Sequence, residues 1–217
     1  MKPYILLLLC IWSSEILISQ TGVQPAMNEF SHFSNVRDFT ISNNGREAYF
    51  TMQSPLEEVS RIIKVVKQKA EWTNPEVVSF STGYRDIEPF LSPDNLRLYF
   101  ASNVPTSDTS NLAKDFDLYY VERPSIDAEW SVPVNLGEPI NTEANEFYPS
   151  VAKNGNLYFT CDRSDAIGKD DIFMAKFQNG QYSVPENLGP QINTKGYEFN
   201  AYTVSYTHLR AHETTSH

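Results

Sequence analysis

The chain has 217 residues, of which 41% are hydrophobic and 13% aromatic, and its formal net charge is −10. An acidic chain without a basic run is a poor binder of nucleic acid, because phosphate contacts need Lys and Arg. We therefore expect no nucleic-acid partner, and we attribute the acidic balance to solubility.

The first 20 residues, MKPYILLLLCIWSSEILISQ, predict a secretory signal peptide. The apolar run from Ile5 to Trp12 is shorter than the roughly 20 apolar residues that a membrane-spanning helix needs. We expect no transmembrane span and a periplasmic or secreted location. Processing as a lipoprotein at Cys10 is disfavoured, because that signal needs a small residue where Leu9 stands. Residues 21–33 are interpreted as an N-terminal linker.

From about residue 34 the chain repeats one kind of β unit. The stretch SVPVNLGEPINTEANEF returns 52 positions later as SVPENLGPQINTKGYEF, with 11 of 17 residues identical. Aromatic landmarks recur with it: first Tyr49-Phe50, Tyr99-Phe100 and Tyr158-Phe159, then Trp72, Trp130 and Tyr182. These landmarks predict three units and the start of a fourth, at about residues 34–82, 84–137, 145–189 and 197–203.

Each unit is predicted to hold four short strands, because runs of aromatic and β-branched residues alternate with turn residues. In the third unit the strands are predicted at about 146–152, 156–161, 171–177 and 182–188. The pairs Asn44-Gly45, Asn154-Gly155 and Asn179-Gly180 predict hairpin turns, since both residue types tolerate positive φ. The segment from Glu57 to Lys69 aligns with the third strands, and we predict strand there rather than helix because β-branched residues disfavour helices.

A four-stranded unit of this length, repeated along a chain, is typical of a β-propeller blade. The predicted fold class is therefore all-β: a β-propeller fragment of three four-stranded blades plus the first strand of a fourth. Propellers typically have 4–8 blades, so the chain is predicted to be truncated. Residues 204–217 break the pattern, and we interpret them as a non-native, adapter-like tail.

The units resemble the WD-like β-propeller repeat of the TolB type, found in periplasmic and secreted bacterial proteins. The resemblance lies in EPFLSPDNLRLYFAS, YPSVAKNGNLYFTCDR and DDIFMAKF, together with the closing pattern W-S-x-P-x-N-L-G, and it covers about residues 34–204. It implies the fold and an envelope location. It does not imply a ligand, because such repeats occur in translocation-associated, peptidase-associated and uncharacterised surface proteins.

Acidic residues recur near the first strand of the units, which in a propeller normally lines the central channel. The candidate ligand-binding residues are therefore Asp86, Glu88, Glu146 and Glu198. Two interpretations stay open for them. They form a ring of channel carboxylates, or they recur because every unit uses the same residue structurally.

The sequence predicts no catalytic residue, metal site or cofactor. It has no G-x-S-x-G motif, and His32 is the one histidine outside residues 204–217, which argues against a serine hydrolase. Cys161 is interpreted as a small buried hydrophobic residue. The loop DRSDAIGKDD lacks the spacing of a twelve-residue calcium loop.

We favour a binding or scaffolding module of the cell envelope over an enzyme, with a protein, peptide or glycan as its ligand. The alternative is a propeller-type, glycosidase-like enzyme that acts on glycans, with part of its site in missing blades. Such an enzyme needs two carboxylates that face each other across a pocket. Paired carboxylates that meet in the channel, together with stabilisation of the protein by a sugar, would support the enzyme. A ring of carboxylates without hydrolysis would support the binding module.

Overall fold

The computed structural model describes residues 35–69, 71–105 and 114–203, and the backbone of 209–213. These residues are all β, with no helix among them. Their main strands form three antiparallel sheets of similar design and a two-stranded fourth sheet. The predicted signal peptide, 1–20, and linker, 21–33, lie outside the described residues. Within the described part, no helix has the length and hydropathy to cross a bilayer.

Unit 1 consists of β1 (Val36–Ile41), β2 (Glu47–Gln53), β3 (Ser60–Gln68), β4 (Glu71–Trp72) and β5 (Glu76–Val77). Strands β1, β2 and β3 pair in order, and both short strands pair with β3. The predicted strand between Glu57 and Lys69 is confirmed as β3. Its residues Ile62, Ile63 and Val65 are buried, and β-branched side chains such as these pack well on a strand.

Unit 2 consists of β6 (Asp86–Leu91), β7 (Arg97–Ser102), β8 (Asp117–Glu122) and β9 (Val134–Asn135), paired in that order. Unit 3 repeats the design with β10 (Glu146–Val151), β11 (Leu157–Cys161), β12 (Asp171–Ala175) and β15 (Glu186–Asn187). A small hairpin of β13 (Phe177–Gln178) and β14 (Gln181–Tyr182) is inserted before β15.

The turns follow the predicted chemistry. Gly45, Asn95 and Gly155 have φ of 65°, 62° and 87°, and each donates its N–H to the carbonyl three residues earlier. Asn179 and Gly180 both have positive φ, 53° and 80°, between the paired residues at the ends of β13 and β14. This two-residue turn matches the twist of the flanking strands, which is why the Asn-Gly pair is favoured there.

The core lies between neighbouring sheets. One cluster fills the contact between units 1 and 2 and includes Tyr49, Phe80, Leu98 and Phe100. A second cluster fills the contact between units 2 and 3 and includes Tyr99, Phe116, Phe159 and Phe173. Most of the recurring Tyr-Phe landmarks are therefore core residues. Tyr99 and Phe100, for example, pack into different clusters on opposite faces of their sheet.

Unit 4 begins with β16 (Glu198–Thr203), as predicted. Its backbone also pairs with β17 (Leu209–Glu213), which falls in the segment predicted to lie outside the fold. Strand β16 packs beside unit 3, where the Ser150 hydroxyl accepts a hydrogen bond of 3.1 Å from the Thr203 N–H. That residues 204–217 are non-native concerns the origin of the sequence and stays a prediction.

Candidate functional site

The first strand of every unit carries the same backbone irregularity. Strands β1, β6, β10 and β16 each shift register once against their partner strand. Inside each shift lies one residue with positive φ: Asp38 (58°), Glu88 (58°), Tyr148 (49°) and Asn200 (58°). Such a bulge re-aims a side chain relative to the regular alternation of a strand.

The identity of these four residues is informative. A left-handed conformation costs a residue with a side chain roughly 1–2 kcal/mol, a cost that glycine avoids. The chain nevertheless has Asp, Glu, Tyr and Asn at these positions. Strained residues of this kind concentrate at functional sites. We therefore take the four side chains, rather than the bulge alone, as the candidate site.

The four bulge residues line one cavity of about 200 Å³, which we call the channel cavity. It lies between the first strands of the four units. The other residues that line it are Phe39, Thr40, Pro89, Phe90, Pro149, Ala201 and Tyr202.

One guanidinium organises the polar side of the channel cavity. Nε of Arg37 donates to Oδ2 of Asp38 at 2.7 Å, and Nη2 donates to Oε1 of Glu88 at 3.4 Å. The same Nη2 donates to the Tyr148 hydroxyl. The backbone N–H of Tyr148 donates to Oε2 of Glu88 at 2.6 Å. Two carboxylates from adjacent units thus share a single cation.

The electrostatics follow from this shared cation and from burial. Burial and, next, the charge of Asp38 raise the pKa of Glu88 to about 8, although the Tyr148 N–H and Arg37 act to lower it. Burial also raises the pKa of Asp38, against the opposing effect of Arg37. The folded protein therefore holds the Glu88 proton more tightly at pH 7 than an ordinary glutamate does.

The aromatic side of the cavity is ordered by stacking. The Tyr148 and Phe199 rings are stacked with centroids 5.4 Å apart. The guanidinium carbon of Arg37 lies 5.8 Å from the Tyr148 ring centroid. Burial raises the pKa of the Tyr148 hydroxyl above its usual value, so this group stays a neutral donor and acceptor at neutral pH.

The predicted residues Asp86, Glu146 and Glu198 occupy the first position of β6, β10 and β16. All three are buried. Each accepts hydrogen bonds from a threonine four residues earlier, which fixes the loop that leads into the strand. The bonds involve the hydroxyl and the backbone N–H of Thr82, Thr142 and Thr194.

Of the four predicted residues, Glu88 is the one that lines the channel cavity. The other three bind their own loops. Glu146 also accepts a weak hydrogen bond of 3.4 Å from Sγ of Cys161, and burial raises the pKa of Glu146 to about 7. Cys161 itself is buried, and burial raises the pKa of its thiol, which disfavours the reactive thiolate.

Sequence reasoning missed Arg37, Asp38, Tyr148 and Asn200. A signal was present in the alignment of the units. The first position of the first strand repeats as Asp86, Glu146 and Glu198, whereas the third position changes from unit to unit. The residue that repeats has the same structural role in these units, whereas the residue that changes from unit to unit belongs to the candidate site. No metal-binding group of three or more His, Cys, Asp or Glu occurs among the described side chains.

No protein-family model and no curated protein matches the chain. A solved structure described as TolB from Agrobacterium tumefaciens is similar over 81% of this chain and 56% of that chain, at 10% identity and a TM-score of 0.50. A protein of unknown function from Dyadobacter fermentans covers 82% and 62%, at 14% identity and a TM-score of 0.49. A Hadza microbial sialidase covers 79% and 40%, at 12% identity and a TM-score of 0.49.

The chain thus spans less than two thirds of the length of these proteins. At such low identity the likeness to the TolB structure concerns the fold alone. Together with the repeated antiparallel sheets, it shows that the chain is an all-β propeller fragment, as the repeat predicted. The units are its blades.

Proposed function

We propose that the chain is an exported β-propeller binding module of the bacterial cell envelope, of the WD-like TolB type, and that its ligand binds at the channel cavity. The observation that carries this proposal is the set of four strained, non-glycine side chains around one cavity. The signal-peptide pattern of residues 1–20 supports export. The resemblance of the repeats supports the TolB type.

The charges around the cavity favour one kind of ligand. Asp38 and Glu88 share the single guanidinium of Arg37, so a ligand that brings a second cation would let both carboxylates ionise. The cavity is smaller than the roughly 300–1,000 Å³ of sites for drug-sized ligands. Among protein, peptide and glycan ligands, a peptide segment with a Lys or Arg side chain fits best.

A peptide array tests this function. The whole chain is applied to peptides of random sequence that differ at one central position, which is Lys, Arg, Gln or Glu. We expect binding to the Lys and Arg series, and a loss of about tenfold or more in the Asp38→Asn and Glu88→Gln variants. Glu186→Gln, which changes an exposed carboxylate far from the cavity, is the matched control. Binding that ignores the central residue, or that survives both channel variants, contradicts the proposal.

A second candidate function rests on the same carboxylate pair. Glycoside hydrolysis uses one protonated carboxylic acid and one carboxylate, and Glu88 holds its proton at neutral pH. A glycosidase-like propeller would release new reducing ends from a panel of polysaccharides, and both Asp38→Asn and Glu88→Gln would abolish that release. Sugar binding without cleavage, or no response to sugars, leaves the binding module as the function.

A further inference from the structure

A buried ion pair closes the contact between units 1 and 2. The Arg123 guanidinium donates to both carboxylate oxygens of Glu47 and to the Asn95 carbonyl. The side chain of Arg123 is 1% exposed, and its guanidinium carbon lies 4.2 Å from the Trp130 ring centroid. The Arg123–Glu47 pair and the Trp130 ring together fill the contact between units 1 and 2.

The contact between units 2 and 3 lacks this pair. The strand registers and the Tyr landmarks place Arg97 of unit 2 where unit 1 has Glu47. They also place Phe177 of unit 3 where unit 2 has Arg123. Unit 2 therefore has the positive charge of Arg97 where unit 1 has a negative charge. Unit 3 has an aromatic ring where unit 2 has Arg123.

Two cavities occupy the space that the ion pair fills in the first contact. Their volumes are about 640 and 500 Å³, and they adjoin because both are lined by Arg97, Phe177 and Tyr182. We call them together the inter-unit cleft. Its size falls in the range of sites for small organic ligands.

The aromatic wall of the cleft is held in place from behind. The Phe177 and Tyr182 ring centroids lie 5.0 Å apart, and the Tyr182 hydroxyl lies 3.3 Å from the Tyr99 hydroxyl. Phe177 packs on Gly155, where a Cβ would come within 2.9 Å of the Phe177 ring. The two rings therefore form a fixed surface against which one face of a ring-shaped ligand can lie.

The polar wall offers both charges. Arg97 pairs with Glu122 at 3.0 Å, but the two side chains are 39% and 51% exposed, and exposed pairs of this kind contribute little stability. The Glu122 carboxylate can therefore be exchanged for one from a ligand. Lys153 and Asp94 also line the cleft, so hydroxyl groups would find both donors and acceptors there.

We propose that the inter-unit cleft is a second ligand site, separate from the channel cavity, that binds an acidic sugar residue of the uronate class. The sugar carboxylate pairs with Arg97 in place of the Glu122 carboxylate. The sugar ring lies against Phe177 and Tyr182, and its hydroxyls bond to Lys153 and Asp94. Because the site is not the channel, the proposal does not depend on the channel ligand.

Calorimetric titration with tri-galacturonate tests the proposal, with neutral galactotriose and penta-glutamate as the comparison ligands. We expect tri-galacturonate to bind at least tenfold more tightly than either. Arg97→Gln should weaken its binding about tenfold, whereas Arg97→Lys should retain part of the affinity. Glu122→Gln should strengthen binding at least twofold, because it removes the competing carboxylate, an effect that a merely structural role would not produce.

Arg46→Gln, at an exposed arginine outside the cleft, is the matched control and should leave the affinity unchanged. The channel variant Glu88→Gln should leave it unchanged as well, which separates this site from the channel. The proposal is overturned if tri-galacturonate does not bind at millimolar concentration, if Arg97→Gln binds it normally while folded, or if galactotriose binds as tightly. Tighter binding of penta-glutamate would assign the cleft to acidic peptides instead.

Discussion

Nε1 of Trp130 donates a hydrogen bond of 3.1 Å to the Tyr49 hydroxyl, and this bond joins unit 2 to unit 1. The ring at the same place in unit 3, Tyr182, meets Tyr99 of unit 2 in the same way, with their hydroxyls 3.3 Å apart. The recurring aromatic residue near the fourth strand is therefore a tie to the preceding unit.

We expect this tie to be measurable in a double-mutant cycle. Tyr49→Phe and Trp130→Phe each remove one partner of the bond, and the coupling between them should be about 0.5–1.5 kcal/mol, the usual net worth of a hydrogen bond. Denaturant unfolding of the wild type, the two single variants and the double variant gives the value. Additive effects would show that the bond contributes nothing to stability.

The buried ion pair between units 1 and 2 should be far more sensitive than its exposed counterpart. Arg123→Met leaves the Glu47 carboxylate buried without its main cation, and such a change typically costs about 3–5 kcal/mol of unfolding free energy. Glu122→Gln breaks the exposed pair with Arg97 and should cost less than about 1 kcal/mol. Equal losses of stability in the two variants, measured by denaturant unfolding, would contradict this assignment.

Glu88 should make the stability of the protein fall as the pH rises. Its folded pKa of about 8 lies above its ordinary value, so the folded state keeps a proton that the unfolded chain releases. The stabilisation is complete below the ordinary pKa and is lost as pH rises through about 8. Glu88→Gln cannot ionise, so its stability relative to the wild type should increase from pH 5 to pH 9.

Unfolding midpoints of both proteins at several pH values check this prediction. Glu146, whose pKa burial raises to about 7, is present in both proteins, so its contribution cancels from the difference. Glu186→Gln, which changes an exposed carboxylate outside the cavity, is measured in the same way as the control. A difference between Glu88→Gln and the wild type that does not change with pH would mean that Glu88 titrates normally.

The hydrogen bonds from threonine to the carboxylates at the first position of β6, β10 and β16 should contribute to stability and not to ligand binding. Thr194→Val keeps the shape of the side chain but removes the hydroxyl that donates to Oε1 of Glu198 at 2.6 Å. We expect a loss of about 1.5–3 kcal/mol, as for hydrogen bonds to charged groups. Peptide binding at the channel should be unchanged. A selective loss of binding at full stability would instead give Glu198 a role in the site.

Gly155 should be less tolerant of substitution than Gly180. Both have positive φ, 87° and 80°, so alanine is strained at either position. At Gly155 the new Cβ would also collide with the Phe177 ring, whereas nothing lies within 4 Å of it at Gly180. Gly155→Ala should therefore lower the melting temperature by several degrees more than Gly180→Ala. Adding Phe177→Leu should recover part of that difference.

The sequence by itself determined the unit and its internal order. The Asn-Gly pairs specify turns locally through their tolerance of positive φ, and the recurrence of aromatic landmarks showed that neighbouring units have the same strands. Even β3, whose composition also suits a helix, was predictable from its alignment with the other third strands. These features depend on short-range chemistry that repeats along the chain.

Only the tertiary structure decided which carboxylate faces the channel. Asp86 and Glu88 are two residues apart, so a regular strand would place both on one face. The register shift between Ile87 and Phe90, with positive φ at Glu88, instead leaves Asp86 bound to its loop and brings Glu88 beside Arg37 and Tyr148 from two other units. A bulge is a property of how two strands pair, and a cavity is a property of how units pack, so neither can be read from one strand's sequence.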